Sequence, residues 1–404
     1  MGDPVRSGDP ARGAGRLRAQ NRADVLGLLR ERGPLSRADM ARELALSPTT
    51  ASSLVTELVD EGLVVEDAEP ALPQRRGRPA RRVRLATAPG LLAGVDVGRR
   101  HVRVALADRD EQIRAERDVP LAVGHARELT TDLVLDVLDE LLDELGAGRG
   151  DLSALGIGLP GPLDSSTHLI GVGAILPEWV GFDVVSVLRA ELGIPVSIDN
   201  DANLGMLAES RHGAARDVAH AIYLKVSTGL GAGILINGAL HRGAVGSAGE
   251  LGHTPLDPDG IVCRCGSRGC LETVASVTAI LDMLRPTLGP QLTLDDVLAL
   301  AARGDRACER VLEDVGRSIG RGVAVLGNLF DPALVLLGGP LAAAGEPLLD
   351  AVRETVRRTC IPSIGSRLRV EASALGARAE VLGAVSLAAE AAHGAHTGAT
   401  AGRS

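Results

Sequence analysis

The segment between Glu250 and Glu272 carries the residues of this chain that are best suited to binding a metal ion. It contains one histidine and three of the five cysteines in the sequence, namely His253, Cys263, Cys265 and Cys270. Imidazole nitrogen and thiolate sulfur are the ligands of closed tetrahedral zinc sites, which stabilise a fold without performing catalysis. The four residues therefore predict a structural Zn2+ site.

Two carboxylates, Glu250 and Glu272, enclose this cluster. Glu250 and His253 are three residues apart, so a helical turn would place them on the same face. His253 could then bind zinc through one ring nitrogen and hydrogen-bond a ligand hydroxyl through the other. Acids fixed in this way would suit a polyhydroxylated ligand such as a sugar. The alternatives are a histidine that packs without metal and, for Glu272, an ordinary surface glutamate.

Three glycine-containing turns at predicted strand ends are candidates for binding phosphate. Glycine allows backbone N–H groups to approach phosphate oxygens closely, and a nucleotide cleft between two related lobes would use such turns. Taken singly, each glycine motif is a weak signal, and the alternative is an ordinary tight turn. The candidate residues are Asp96 and Gly98 in the first turn, Thr228, Gly229 and Gly231 in the second, and Gly339 in the third.

The composition limits the classes of function. The chain has 404 residues, and its basic residues are almost all arginine. Because its net charge is −9, nucleic-acid binding requires a local basic patch. No apolar segment has the length of a signal peptide or a membrane span. Few cysteines, mostly clustered, favour a cytoplasmic metalloprotein over a disulfide framework.

The elements that must position these residues begin with a DNA-binding pattern. Ser36 can cap a short helix over residues 37–44, and Ser47 followed by Pro48 starts a second helix that Gly62 ends. An arginine-rich segment over residues 75–84 then predicts a wing that can enter a minor groove. The alternative is a packing module with a solvated loop. The candidate DNA-contacting residues are Thr49, Thr50, Ser52, Ser53, Arg76 and Arg78.

From about residue 90 the sequence alternates between strand-like and helical patterns, which predicts an α/β fold. The predicted strands are 92–96, 101–107, 154–159, 194–198, 221–226, 231–236 and 333–337, and the predicted helices lie near 127–145, 183–192, 201–213, 293–303, 307–328, 346–358 and 376–392. We expect a disordered N-terminus over residues 1–16 and a winged helix-turn-helix over 17–88. A sugar-binding domain of two α/β lobes over 89–392 and a disordered tail over 393–404 complete the predicted organisation.

Together these motifs resemble the ROK family of repressors, open reading frames and sugar kinases, over nearly the whole chain. The segment between Glu250 and Glu272 is similar to the family signature with its zinc site, and residues 200–203 resemble the family's N-D-A-N motif. The resemblance implies an actin-like, hexokinase-type (ribonuclease H-like) double domain. It also implies sugar contacts from Asn200, Asp201, Glu250, His253 and Glu272, with Asp201 as the base if the protein is a kinase. Asp201 could also simply cap the helix that follows it, a role that is compatible with a sugar contact.

The first phosphate turn departs from the kinase form of the family, D-x-G-G-T-K. Arg99 and Arg100 replace the second glycine and the threonine, which obstructs backbone approach and removes a hydroxyl donor. ATP with Mg2+ is therefore not an expected cofactor.

The sequence accordingly predicts a sugar-responsive transcriptional regulator, a repressor of carbohydrate metabolism genes, located in the cytoplasm. Its expected partners are operator DNA, a small sugar or sugar-phosphate effector and further copies of itself in a homodimer or homotetramer, without a membrane. The alternatives are an ATP-dependent sugar kinase with an accessory DNA-binding domain and a DNA-binding protein whose C-terminal domain only dimerises.

Overall fold

The computed structural model describes residues 18, 21–22, 24–29, 32, 35–60, 64–66, 82–85, 90–171 and 176–401. The chain divides into two compact units, Met1–Pro89 and Gly90–Ser404. The predicted disordered N-terminus, the helix end at Gly62 and the wing residues Arg76 and Arg78 lie outside the described residues.

The first unit contains the two predicted helices and a small sheet. Ser36 caps the first helix by accepting a hydrogen bond from the Asp39 amide at 3.1 Å, and Ser47 accepts one from the Thr50 amide at 3.0 Å. The sheet has the antiparallel order β1-β3-β2, which is the arrangement that a winged helix requires. Its elements are β1 (Leu35–Ser36), α1 (Arg37–Glu43), α2 (Pro48–Asp60), β2 (Val64–Glu66) and β3 (Arg82–Leu85).

The second unit begins with a lobe built on a five-stranded sheet of order β6-β5-β4-β7-β8. The first three strands along the chain pair antiparallel, and the last two add in parallel. Its elements are β4 (Leu91–Val97), β5 (His101–Ala107), β6 (Ile113–Pro120), α3 (Arg127–Glu144), β7 (Leu152–Leu159), α4 (Val184–Leu192) and β8 (Val196–Asn200).

A second lobe repeats this topology. Its sheet has the order β11-β10-β9-β12-β13, again with three antiparallel strands followed by two parallel additions. The strands are β9 (Ala221–Val226), β10 (Leu230–Ile236), β11 (Ala239–Leu240), β12 (Leu334–Gly338) and β13 (Arg369–Ala372). The repeated topology confirms the predicted α/β double domain.

The helices of this second lobe bury apolar side chains in a core that they share with its sheet. They are α6 (Glu272–Ala275), α7 (Val277–Leu288), α8 (Leu294–Ala302), α9 (Arg306–Phe330), α10 (Glu346–Thr359) and α11 (Pro362–Gly365). Within the described ranges, no helix combines the length and apolar character needed to cross a bilayer.

Two helices connect the lobes. Helix α5 (Asp201–His212) follows the first sheet but packs on β9 and β10 of the second, whereas α12 (Ala379–Ala401) returns from the second lobe to pack on β4 and β7. Glycines permit this close approach, because a β-carbon at Gly156 would lie 2.0 Å from the carbonyl oxygen of Ala384. Helix α5 thereby brings Asp201 to the boundary between the lobes.

The structure differs from the sequence predictions in several elements, including the short β11, α6 and α11, which were not predicted. Strands β6 and β13 and helix α7 have no counterpart in the predicted elements, since β6 carries charged residues along an edge of the sheet and α7 contains Pro286. Helix α12 continues to Ala401, so residues 393–401 are helical where the sequence predicted a disordered tail. The alanine-rich composition of that segment favours helix.

Candidate functional site between the lobes

The predicted metal ligands come together in the structure. The ligand atoms of His253, Cys263, Cys265 and Cys270 all lie within 4.8 Å of one another. Cys263 Sγ is 3.5 Å from His253 Nδ1, and Cys265 Sγ is 3.7 Å from Cys270 Sγ. Ligands bound at zinc distances in a tetrahedron lie about 3.5–3.8 Å apart, so the donor set fits that metal. The cluster can therefore hold a metal ion.

Tight turns of the loop after β11 create this arrangement. The Cys263 amide donates to the Ser267 carbonyl, and the Gly266 amide donates back to Cys263 at 2.9 Å, which closes a turn around Cys265. Gly269 has a φ of +64°, and a β-carbon there would lie 1.6 Å from the Asp257 carbonyl oxygen. Glycine is thus required beside Cys270, because no other residue fits so close to the backbone.

His253 presents its two ring nitrogens to different partners. It lies at the end of a single 3-10 turn, Leu251–His253, which places it on the same face as Glu250 as predicted. Nδ1 faces the cysteine cluster, and Nε2 lies 3.7 Å from Glu250 Oε2. Burial, followed by the negative charge of Asp201, raises the pKa of Glu250 to about 7.

Glu272 is buried and contacts both the metal loop and the second glycine turn. Its Oε2 accepts hydrogen bonds from the Leu230 amide at 3.1 Å and from the Arg264 guanidinium at 2.7 Å. The alternative of a surface glutamate is therefore wrong. Glu272 fixes the position of the glycine turn relative to the cysteine cluster.

Asn200 and Asp201 lie where β8 passes into helix α5. Asn200 is the N-cap, since its Oδ1 accepts from the Ala202 amide at 2.8 Å while its Nδ2 donates to the Gly161 carbonyl. Asp201 is the first helical residue and not the N-cap itself, but its Oδ1 also accepts a hydrogen bond from the Ala202 amide at 2.9 Å. Its Oδ2 lies 2.9 Å from Lys225 Nζ.

Lys225 is a charged residue of this site that the sequence analysis missed. It lies on β9, is 9% exposed, and its Nζ is 3.4 Å from Glu380 Oε1 in addition to the contact with Asp201. The Tyr223 hydroxyl donates to the same Glu380 oxygen at 3.0 Å. One signal could have found it, because Lys225 is the only lysine among the 43 lysine and arginine residues of the chain.

The first glycine turn is covered by a side chain. His101 Nε2 lies 2.9 Å from Asp96 Oδ2, and a β-carbon at Gly98 would lie 2.2 Å from the His101 ring. Burial raises the pKa of the Asp96 carboxyl, but the charge of Lys225 and the hydrogen bond from His101 bring it to about 2. Of the two arginines in this turn, Arg99 is half-buried and Arg100 is exposed.

The glycines of the other two turns have structural partners of their own. Gly339 has a φ of +76°, and a β-carbon there would lie 2.5 Å from the Val226 carbonyl oxygen. Gly231 lies against Ala202 of α5, with 3.5 Å between the added β-carbon and the Ala202 side chain. Thr228 is half-buried and Gly229 is buried.

The candidate DNA-contacting residues of α2 differ in their surroundings. Thr49 and Ser53 are exposed, whereas Thr50 is half-buried and its hydroxyl lies 2.7 Å from that of Ser47. The Ser52 hydroxyl accepts a hydrogen bond from the Arg37 guanidinium at 2.7 Å. Thr49 and Ser53 are therefore the more accessible pair on this helix.

A winged-helix unit and a two-lobed α/β unit define the class of DNA-binding regulators with a sugar-kinase-like domain. A family model described as the ROK family matches residues 92–391, and one described as the MarR family matches residues 18–76. The chain belongs to the ROK family, as the resemblance of its motifs predicted.

Individual relatives agree with this assignment. A xylose repressor from Caldicellulosiruptor bescii is 29% identical over 384 residues, which cover 92% of this chain and 96% of that protein. The crystal structure of a ROK family transcriptional regulator, a homolog of the E. coli MLC protein, has a TM-score of 0.78 at 26% identity and covers 93% of this chain and 97% of that one. The crystal structure of a ROK family glucokinase from Streptomyces griseus in complex with glucose and AMPPNP has a TM-score of 0.67 at 29% identity. The match covers 74% of this chain and 100% of that one.

Proposed function

We propose that this protein is a sugar-responsive DNA-binding transcriptional regulator that represses genes of carbohydrate metabolism. The observation that carries the proposal is the contrast between the two sides of the interlobe site. Polar groups suited to sugar hydroxyls converge on one side, while the His101 ring covers the phosphate turn on the other. The relatives named as a xylose repressor and a ROK family transcriptional regulator support the same function.

The effector is a small sugar or sugar phosphate that binds Asn200, Asp201, Glu250, His253 and Glu272. Structural zinc at His253 and the three cysteines holds the loop that carries Glu250. With zinc on Nδ1, the Nε2 nitrogen of His253 faces Glu250 and is available for a sugar hydroxyl. The metal fixes the position of this loop, and the side chains bind the sugar.

Operator DNA is the second partner. Thr49, Thr50, Ser52 and Ser53 contact the major groove from α2, and Arg76 and Arg78 of the wing enter the minor groove. A homodimer or homotetramer presents two such units to two half-sites. Sugar and DNA must then affect each other's affinity by the same factor, because the coupling free energy is reciprocal.

The test is capture of genomic DNA fragments by the zinc-loaded protein, repeated with a panel of free and phosphorylated sugars in the absence of ATP. A specific fragment that one sugar releases or recruits supports the proposal and identifies ligand and target together. If no sugar in the panel changes specific DNA binding, the result favours the alternative of a DNA-binding protein whose second unit only dimerises.

An ATP-dependent sugar kinase is the second candidate, and the presence of Asp201 favours it. A catalytic base must be free to take a proton from the sugar hydroxyl, however, and Asp201 is paired with an ammonium group at 2.9 Å. Sugar-dependent ATP hydrolysis or transfer that disappears in Asp201→Asn would establish the kinase.

A further inference from the structure

We propose that the Lys225 ammonium group is a built-in counter-cation that fills the position of a divalent metal ion among the carboxylates of Asp96, Asp201 and Glu380. This role of Lys225 sets the ion content of the interlobe site and is independent of the identity of the effector and of the regulatory function proposed above.

Three buried acids from different parts of the fold surround this position. Asp96 ends strand β4 of the first lobe, Asp201 starts the connecting helix α5, and Glu380 lies in the first turn of α12. Their exposed fractions are 2%, 9% and 3%. Desolvation and mutual repulsion both oppose negative charge on three carboxylates in such surroundings, so a nearby cation stabilises the cluster. Burial raises the pKa of Glu380, and the charge of Lys225 opposes that rise.

The ammonium group of Lys225 supplies that cation. It contacts Asp201 Oδ2 at 2.9 Å and Glu380 Oε1 at 3.4 Å, and its charge lowers the pKa of Asp96. Asp96 Oδ1 is buried and has no hydrogen-bond partner among the described residues, so this oxygen depends on the nearby positive charge. These are the surroundings that a bound Mg2+ ion would have, with the ammonium group in its place.

The composition of the chain gives an independent reason to assign Lys225 a specific role. Arginine occupies every other basic position in the sequence, and lysine occurs only here. A guanidinium group is planar and donates within one plane, whereas a compact ammonium group can donate in separate directions, as its contacts with Asp201 and Glu380 from two different helices require. The shape of the ammonium group therefore explains why lysine occupies this buried position in a chain that otherwise uses arginine.

A metal-dependent phosphoryl transfer does not fit this arrangement. Such a reaction needs a divalent cation beside the transferred phosphate, and a second positive charge at the same position would repel it. Lys225 therefore makes ligand binding between the lobes independent of divalent metal ions. It acts as a positioning residue that fixes the direction of the Asp201 carboxylate through the 2.9 Å contact.

The first test is 15N NMR of the lysine side chain in the zinc-loaded protein labelled with 15N-lysine. The single lysine gives a single side-chain signal, so assignment needs no variant. We expect the signal of a protonated amine with slowly exchanging protons that persists above pH ~10.4, where an exposed lysine loses half its charge. A rapidly exchanging signal that titrates at the ordinary value overturns the proposal.

The second test uses Mn2+ as the probe, with Lys225→Met as the variant and Tyr223→Phe as the matched control. Lys225→Met removes the charge at similar length, so a paramagnetic ion should bind on the order of tenfold or more tightly than in the wild type. Tyr223→Phe also removes a contact to Glu380 but leaves the ammonium group, and it should gain no Mn2+ binding. Adding Glu380→Gln to Lys225→Met should weaken the new site.

Equal Mn2+ affinity in the wild type and Lys225→Met, measured by electron paramagnetic resonance, would contradict the proposal. If Lys225→Met does not fold, the NMR measurement on the wild type decides alone. Neither result depends on finding the effector or the operator, so failure of this inference is distinguishable from failure of the proposed function.

Discussion

The imidazole ring of His101 lies directly against the α-carbon of Gly98, where a β-carbon would come within 2.2 Å of the ring. The same ring places Nε2 2.9 Å from the buried carboxylate of Asp96. A side chain of the protein itself therefore packs against the glycine of the turn that the sequence analysis named as a candidate for binding phosphate. The Asp96 contact holds the covering ring in place.

Replacing His101 tests this relationship. His101→Ala removes the hydrogen bond to Asp96 and leaves both oxygens of a buried carboxylate without a hydrogen bond, so we expect a loss of about 1–3 kcal/mol in the free energy of unfolding. Arg100→Ala, at the exposed neighbouring position, should change it by less than about 0.5 kcal/mol. Denaturant titration measures both values, and equal effects would show that the Asp96 contact contributes nothing.

Removing the metal should loosen the loop that carries Glu250. Cys270→Ser deletes one of four ligands, so we expect the purified protein to lose its bound zinc and the segment 253–272 to become sensitive to proteases. Cys308→Ala is the control, because Cys308 is buried in the core of the same lobe away from the cluster. Metal analysis by mass spectrometry should find zinc retained in Cys308→Ala, and zinc retained in both variants would exclude the proposed ligand set.

Stability should fall in acid through Glu111. Burial raises the pKa of this carboxyl, but hydrogen bonding from His212 and the charge of Arg211 lower it from 4.5 to about 2. Because the folded-state pKa lies below the unfolded value, the stabilisation is complete above pH 4.5 and is lost as the pH falls toward 2. Unfolding titrations of Glu111→Gln between pH 6 and pH 3.5 should show a shallower decline than those of the wild type.

The exposed neighbour Asp110 offers the control for this titration. Asp110→Asn should leave the acid decline of the wild type unchanged, since that side chain lies in solvent at the same hairpin. A decline that is identical in Glu111→Gln and the wild type would mean that the contacts of Glu111 with Arg211 and His212 do not stabilise the fold.

A negative charge on helix α2 should weaken operator binding. Ser53 is exposed on the helix proposed to enter the major groove, so Ser53→Asp would repel DNA phosphates and lower the affinity about tenfold or more. Ser366→Asp places the same charge on an exposed serine of the second unit and should have little effect. Gel-shift titration at fixed salt compares the two, and equal affinities would rule out a DNA contact at Ser53.

The sequence was most informative where chemistry depends on local spacing. The cysteine cluster, the caps at Ser36 and Ser47 and the positions of most strands could be predicted because each depends on neighbouring residues. Strand β6 was missed since it lies at a sheet edge and needs no apolar alternation. Likewise, the helix cap falls on Asn200 and not on Asp201, because backbone geometry decides between adjacent residues that are both good caps.

Contacts between distant segments could not be predicted in the same way. Lys225, Asp201 and Glu380 come from three elements, and only the crossing of α5 and α12 between the lobes brings them together. The sequence showed that arginines interrupt the first phosphate turn, but the covering ring belongs to His101, on the strand that returns from that turn. Such relationships depend on tertiary packing and leave no periodic pattern.

The most direct test of the central claim measures operator affinity with and without the effector sugar, in the zinc-loaded wild type and in Glu250→Ala. Glu250 lies beside His253 at the proposed sugar site in the second unit, whereas the DNA-binding helix belongs to the first. We expect both proteins to bind operator equally without sugar, and only the wild type to change its affinity for operator when sugar is added. A Glu250→Ala variant that responds to the sugar as the wild type does would contradict this expectation.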